Sequence, residues 1–401
     1  MTAPTPPGAP ADEGRSAHRK LVLGLIVVAS LIAFLAVFSI WAKRQMLETD
    51  SWVETSTELL EDEEIRDQLS IFITDAIYSN VDVQGELEAR LPPDLKPLAG
   101  PAAGGIRDLI QRGADEALQR PRVQQAWETI NRAAHAKLIE VVQEDSDEAV
   151  TIDLGDIVAQ VGSEAGIDVA GKIPPDAGQI EVLPADELST ARKAVNLIEG
   201  LAVVLTLLAL VLFGLAIYLA RDRRRETLRM VGFAFITVGL AVALARSLAG
   251  NVVIDALAST ASVEPAVRDT WEIGTSMLSD GAGAMIFYGI VIFIGAWLAG
   301  PTGLARAARE EIAPLLNRRG TGYAALLVLL LLLFWWAPTD GFRRAPIAVI
   351  IIALFVVGFE FLRRQTLREF PGATWESGAS RWRERSHAIR SRGGRPPSGN
   401  S

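Results

Sequence analysis

Leu21–Ala42 reads LVLGLIVVASLIAFLAVFSIWA, 22 residues without a charge, with Arg19 and Lys20 before it and Lys43 and Arg44 after it. As a helix rising about 1.5 Å per residue it reaches about 33 Å, enough to cross a hydrocarbon core of about 30 Å. A cleaved secretory signal has a shorter apolar core and a small-residue cleavage site. Neither is present, so the stretch reads as an uncleaved signal anchor. The Pro-rich opening MTAPTPPGAPADEG has almost nothing to bury and is expected to be disordered within a cytoplasmic segment 1–20.

Outward from this span the same pattern recurs at about 197–220, 230–249, 282–299, 322–337 and 346–362, the third span interrupted by Arg246 and the fifth short. Half of the 401 residues are hydrophobic, and their concentration in these blocks excludes an ordinary soluble enzyme. The fold class expected is therefore mainly α. It is a six-helix polytopic membrane protein with a mostly helical extracytoplasmic domain, 43–194, between spans 1 (21–42) and 2. Five spans follow within 195–362, and a basic tail occupies 363–401.

Orientation follows from the tendency of Lys and Arg to accumulate in cytoplasmic loops. With the N-terminus inside, segments 1–20, 221–229, 300–321 and 363–401 hold 21 basic against 9 acidic residues, and each is net positive. The opposite side receives 43–194, with 14 basic and 31 acidic residues, and 246–282, with 2 and 5. The alternation predicts a plasma-membrane protein with both termini cytoplasmic. The formal net charge of -9 is thus the difference between two unlike sides. Arg-rich segments such as RDRRRETLR and RWRERSHAIRSR suit anionic headgroups, and topogenic charge explains them without nucleic acid.

Segment 43–194 is too long for a structureless connection. SWVETSTELLEDEEIRDQLSIFITDAIYSN places apolar residues at helical spacings, with Ser51 and Glu54 as a capping box. LPPDLKPLAGPAAGG breaks the chain before a helix at about 102–119. Pro121 begins a third helix whose apolar face is Val123, Trp127, Ile130, Ala134, Leu138 and Val141. AVTIDL and QIEVL flank a helix near 155–165 and are expected to pair as a small ribbon. With no cysteine in the chain, this domain holds itself by helix packing alone.

WVETSTELLEDEEIRDQLSIFITDAIY, LPPDLKPLAGPAAGGIRDLI and LQRPRVQQAWETINRAAHAKLIEVV, followed by an amphipathic lead-in and spans with Arg-rich turns, resemble a group of functionally uncharacterised polytopic membrane proteins of actinobacteria. The resemblance covers roughly residues 20–230. It implies the architecture above and a domain on the cell-wall side of the membrane, and it supplies no catalytic residue. Only 6 of the 39 basic residues are Lys, in keeping with a high-GC source.

Motifs for chemistry are few. GIDVAGKI (Gly166–Ile173) matches G-x-x-x-x-G-K but places Ile173 where a phosphate loop needs Ser or Thr, so a Gly-containing turn is the simpler reading. There is no G-x-S-x-G, no H-E-x-x-H and no histidine pair at ligand spacing; His135 is isolated and reads as structural, and His18 and His387 fall in tails. The clusters Glu61, Asp62, Glu63, Glu64 and Asp67, and Glu144, Asp145, Asp147 and Glu148, lack the calcium-loop pattern and read as solvated faces. No catalytic residue, cofactor or metal is expected.

Charged residues inside spans need a partner or an interface. Glu199 and Arg246 come to similar heights near the external ends of spans 2 and 3, which makes them a candidate interhelical ion pair. Independent snorkelling of each is the alternative. Glu360 is one turn before Arg364, the spacing of a local salt bridge. Gly281–Gly300 and the Gly239/Ala243 pair permit close helix crossing, and Trp335 and Trp336 read as interfacial anchors. These features suggest a non-enzymatic envelope protein whose external domain binds a partner, wall component or ligand. The alternative is a small transporter or channel, although no inverted repeat is evident. The lipid bilayer is the one partner that composition implies; oligomeric state is not legible.

Because the chain has no cysteine of its own, single substitutions report sidedness cleanly. Glu116→Cys is expected to react with an impermeant maleimide on intact cells, and Arg318→Cys only after permeabilisation. The reverse pattern would invert the topology.

Overall fold

A computed structural model describes residues 11–143, 150–153, 179–183, 185–220 and 223–371. The elements are α1 (Ala11–Leu47), α2 (Thr49–Glu61), α3 (Glu63–Asn80), α4 (Val83–Arg90), α5 (Ala99–Leu118) and α6 (Pro121–Gln143), then β1 (Val150–Asp153) and β2 (Gln179–Leu183). Helices α7 (Ala185–Leu219), α8 (Arg224–Leu257), α9 (Glu264–Gly274), α10 (Ser276–Leu298), α11 (Gly303–Asn317), α12 (Arg319–Trp336) and α13 (Ala345–Glu369) follow. Among the described residues six helices are long and apolar enough to cross a membrane: parts or all of α1, α7, α8, α10, α12 and α13. The six sequence blocks coincide with them, three (197–220, 282–299 and 322–337) running one residue past the helix end.

The chain forms two compact units. The first comprises residues 1–34, 208–241 and 280–401. Its described core is a set of small and β-branched residues at helical spacing, such as Val22, Ile26, Ala29 and Ala33 on α1, while Leu23, Val27 and Leu31 on the opposite face stay about half exposed or more. Helices α8 and α10 cross closely because they lack side chains at the contact. A Cβ on Gly232 would lie 2.6 Å from Phe293 N, and one on Gly289 2.8 Å from Gly232 O. Gly239 meets Ala282 O in the same way. The small residue that works with Gly239 is therefore Gly232, two turns earlier, and not Ala243, which is exposed.

Helix ends in this unit are closed by side chains from neighbouring helices. Arg309, 1% exposed, donates to the carbonyls of Leu298 and Gly300 at the end of α10 and pairs with Glu369 Oε2 at 2.7 Å. Arg225 and Gln365 both donate to Ala299 O, at 2.9 and 3.1 Å. Arg363 in turn donates to Leu316 O at the end of α11. These carbonyls have no intrahelical partner, and the three arginines and one glutamine satisfy them. Glu360 accepts from Arg364 as its spacing predicts, and also from the Tyr323 hydroxyl.

The second unit comprises residues 35–207 and 242–279. Helix α2 packs on α6, α3 on α5, and α9 on both α2 and α3. Leu60 is almost fully buried, a contribution of about 1.5–3 kcal/mol. The buried Ser56, Ser70 and Thr74 hydroxyls return to carbonyls of their own helices. Two aromatic polar groups pin helices together, Trp127 Nε1 on Ser56 O and Tyr78 OH on Ala103 O. Strands β1 and β2 pair antiparallel, Thr151 opposite Glu181, as expected of AVTIDL and QIEVL.

Several expectations are corrected. Residues 11–20 are helical and continuous with the first span, so His18 lies on α1, where its Nε2 meets Leu219 O at 2.9 Å. Ser51 does not cap a helix: α2 already begins at Thr49, with Trp52 N donating to Glu48 O, and Ser51 is buried. The helical run 50–80 is divided at Asp62, whose carboxylate accepts from Ile65 N and starts α3. On α6 the fully buried residues are His135 and Val142, which turns the face about one residue from the one expected. The helix near 155–165, Gly166–Ile173, the Glu144–Glu148 cluster and His387 lie outside the described residues.

Replacing Arg309 by Met strands the carbonyls of Leu298 and Gly300 and leaves Glu369 without its partner. The expected cost is about 3–5 kcal/mol, the scale for breaking a buried pair, read as a lower thermal midpoint in detergent; an unchanged midpoint would exclude a structural role for this contact.

Candidate functional site

Helix α9 builds the site. Pro265 sits in its first turn, where a missing N–H costs nothing. Val263 just before it, then Ala266, Val267, Thr270, Trp271 and Gly274, recur at the i, i+3, i+4, i+7 spacing of one helical face, and that face forms one wall of an open cavity of about 490 Å³. The facing wall is Ile65, Gln68 and Leu69 of α3, again one helical stripe. Val253 and Leu257 from the end of α8, with Trp41 near the end of α1, complete the lining. The volume is that of a small-molecule pocket, roughly 300–1,000 Å³.

Trp41 and Trp271 fix the geometry. Trp41 Nε1 donates to Gly274 O at 3.2 Å. Trp271 packs against α8 at Gly250, where a Cβ would come within 2.5 Å of the indole nitrogen; only glycine admits the ring there. The hydroxyls and the Gln68 amide of the lining each make a hydrogen bond within the protein. Gln68 donates to Ser262 O at 3.4 Å, Thr270 to Ala266 O, and Thr275 to Trp271 O.

Carboxylates flank this apolar wall. Burial and the nearby Asp62 and Glu272 carboxylates push Asp269 above the usual carboxylate range, with Arg268 opposing them. Arg268 is itself paired with Glu264 at 2.7 Å.

The candidate pair Glu199 and Arg246 is not formed. Arg246 instead donates through Nε to Thr275 Oγ1 at 2.7 Å and through Nη2 to Glu272 O at 3.4 Å, closing the C-terminal end of α9. Similar height along two helices does not place two side chains on facing sides, and helix α9, unseen in the sequence, supplies Arg246 with nearer acceptors. Glu199 is partly exposed. The acidic cluster at 61–67 has a local use: Asp62 caps α3, Glu63 and Glu64 lie in its positive first turn, and Gln111 donates to Asp67. Among the described residues no group of three carboxylate or imidazole side chains is placed to hold a metal ion.

His135 is the other notable group. It is buried at 6% exposure, stacks on Trp52 with centroids 5.1 Å apart, and meets Thr49 Oγ1 at 3.1 Å through Nδ1. Burial lowers its pKa, and a backbone contact with Met46 partly opposes this. No protein-family model, no curated protein and no solved structure matches the chain.

Since the folded pKa of His135 lies below the unfolded value of about 6.5, the unfolded chain takes up a proton first. Its contribution is intact above that value and is lost as pH falls through it towards the folded pKa. The full-length protein is expected to lose thermal stability on acidification from about pH 7.5 to 5.5, and His135→Phe, which keeps the stacking, to lose measurably less over the same interval. Equal losses would show that other groups dominate.

Proposed function

We propose that this chain is a non-enzymatic, multi-pass plasma-membrane protein of the cell envelope, with both termini in the cytoplasm. Its segment between the first two spans, with α9, acts on the outer side as a binding module. Charge alternation across six apolar helices supports the orientation, and the resemblance to polytopic actinobacterial proteins supports the cell-wall-facing placement. The uncleaved first span serves as its signal anchor.

The observation that carries the binding role is the pocket between α3 and α9. It is concave, its walls are aliphatic and aromatic, and its hydroxyl groups are spent on the protein itself. Such a surface selects a ligand by shape and apolar area, at about 25 cal/mol per Å² removed from water. A wall polysaccharide would need many donors and acceptors, and this mostly apolar lining presents few.

Thr270→Cys, in a chain with no other cysteine, allows an environment-sensitive fluorophore to be placed at the pocket. An uncharged, water-soluble apolar probe such as 2-naphthol is expected to shift its emission saturably in the nanodisc-embedded protein. Ala266→Trp, which fills the lining, should reduce the response by roughly tenfold or more, about 1.4 kcal/mol. No saturable response in the wild-type lining would defeat the proposal, and solute flux in proteoliposomes would favour transport instead.

A further inference from the structure

We propose that the pocket receives the acyl chain of a bilayer lipid whose headgroup carries no net negative charge, the chain entering along α8 from the leaflet. This rests on the ligand-binding role proposed above and names its ligand.

Continuity of the apolar surface points to this occupant. Leu244, Leu248 and Val252 on α8 are spaced by four residues, so they form one row along the helix, and they are 60%, 58% and 69% exposed. The row ends beside Val253 and Leu257, which line the pocket, and Leu257 is itself 63% exposed. A hydrocarbon chain lying on this row reaches the cavity without crossing a polar group. At the far side, Trp41 and Trp271 present rings of the kind that settle at the headgroup level.

Engaged hydrogen bonding disfavours a polar occupant. Thr270 and Thr275 donate to backbone carbonyls, Gln68 donates to Ser262 O, and the Trp271 indole nitrogen is turned against Gly250. Each methylene moved from water into such a surface contributes favourably without any directional contact.

Charge selects the headgroup. Asp269, on the α9 helix whose neighbouring residues line the pocket, lies close enough to Asp62 and to Glu272 for both to raise its pKa. Two nearby cations are engaged, Arg268 with Glu264, and Arg246 with Thr275 and the Glu272 carbonyl. An anionic phosphate or carboxylate head would be repelled by these carboxylates. A zwitterionic or cationic head meets no such repulsion.

The test uses the full chain in phosphatidylcholine nanodiscs doped with lipids that share one acyl chain, bearing a diazirine at its end, and differ only in head: choline, a cationic amine, or phosphatidylglycerol. Irradiation followed by peptide mass spectrometry locates the adducts. Choline and amine lipids are expected to label 65–69 and 263–275, with phosphatidylglycerol labelling these segments roughly tenfold less. Ala266→Trp or Val267→Phe should abolish this labelling while adducts on the exposed leucines of α12 persist, which also reports that each variant is inserted and folded. The Asp269→Asn, Glu272→Gln double variant should raise phosphatidylglycerol labelling at the pocket. Adducts confined to exposed helix rows for every head would overturn the acyl-chain assignment, and equal pocket labelling by all three would overturn the headgroup selection. Either result leaves the soluble-probe response of the fluorophore at position 270 as the separate measure of whether the pocket binds ligands at all.

Discussion

A backbone carbonyl in an apolar setting has no water to turn to, and this requirement organises the helices of the first unit. Within a helix each carbonyl is satisfied locally, but the last turn is not. At the end of α10 the three carbonyls of Leu298, Ala299 and Gly300, which lack an intrahelical donor, are met by Arg309, Arg225 and Gln365, drawn from three different elements. The connection between α10 and α11 is held because the chain must deliver those donors there. Glu369 then balances Arg309, so that the guanidinium can be buried without an isolated charge. Glycine contacts between α8 and α10 work beside this polar clasp, letting backbones approach where hydrocarbon supplies no hydrophobic drive for association.

The second unit solves a different problem. It has no disulfide, and its buried interior contains many small polar residues. Ser56, Ser70 and Thr74 are tolerated because each hydroxyl bonds back to its own helix, and Trp127 and Tyr78 add directional ties between helices. Burial of His135 between Trp52 and Thr49 favours its neutral form and couples the start of α2 to α6. The apolar pocket lies between α3 and α9. Trp271 fits against Gly250 and Trp41 bonds Gly274 O, so two of its lining indoles are set by the contacts that position α9.

Much of this was legible from residue pattern. The apolar blocks are long, nearly free of charge and separated by Arg-rich turns, so their number follows from helix rise and the cost of burying charge. Pro121 announced the start of α6, and the β-branched runs announced the ribbon. Asp62 was less visible, since a single acidic residue within an acidic run marks a helix start only when the chain turns there. Helix α9 had the apolar periodicity of its later wall, from Val263 to Gly274, and a Pro in its first turn. It went unread because it is short and lies between two stronger spans. Arg246 was misassigned for the same reason.

Local chemistry by itself therefore determined which segments are helical and apolar, and where charge forbids burial, because both depend on composition over one or two turns. Which side chains meet was decided only by the tertiary structure. Arg309 and Glu369 are 60 residues apart, Trp41 and Gly274 are 233 apart, and Arg246 turns from Glu199 to Thr275. Rotation of each helix about its axis sets these partners, and that angle is fixed by all neighbours at once, information that no window of sequence contains.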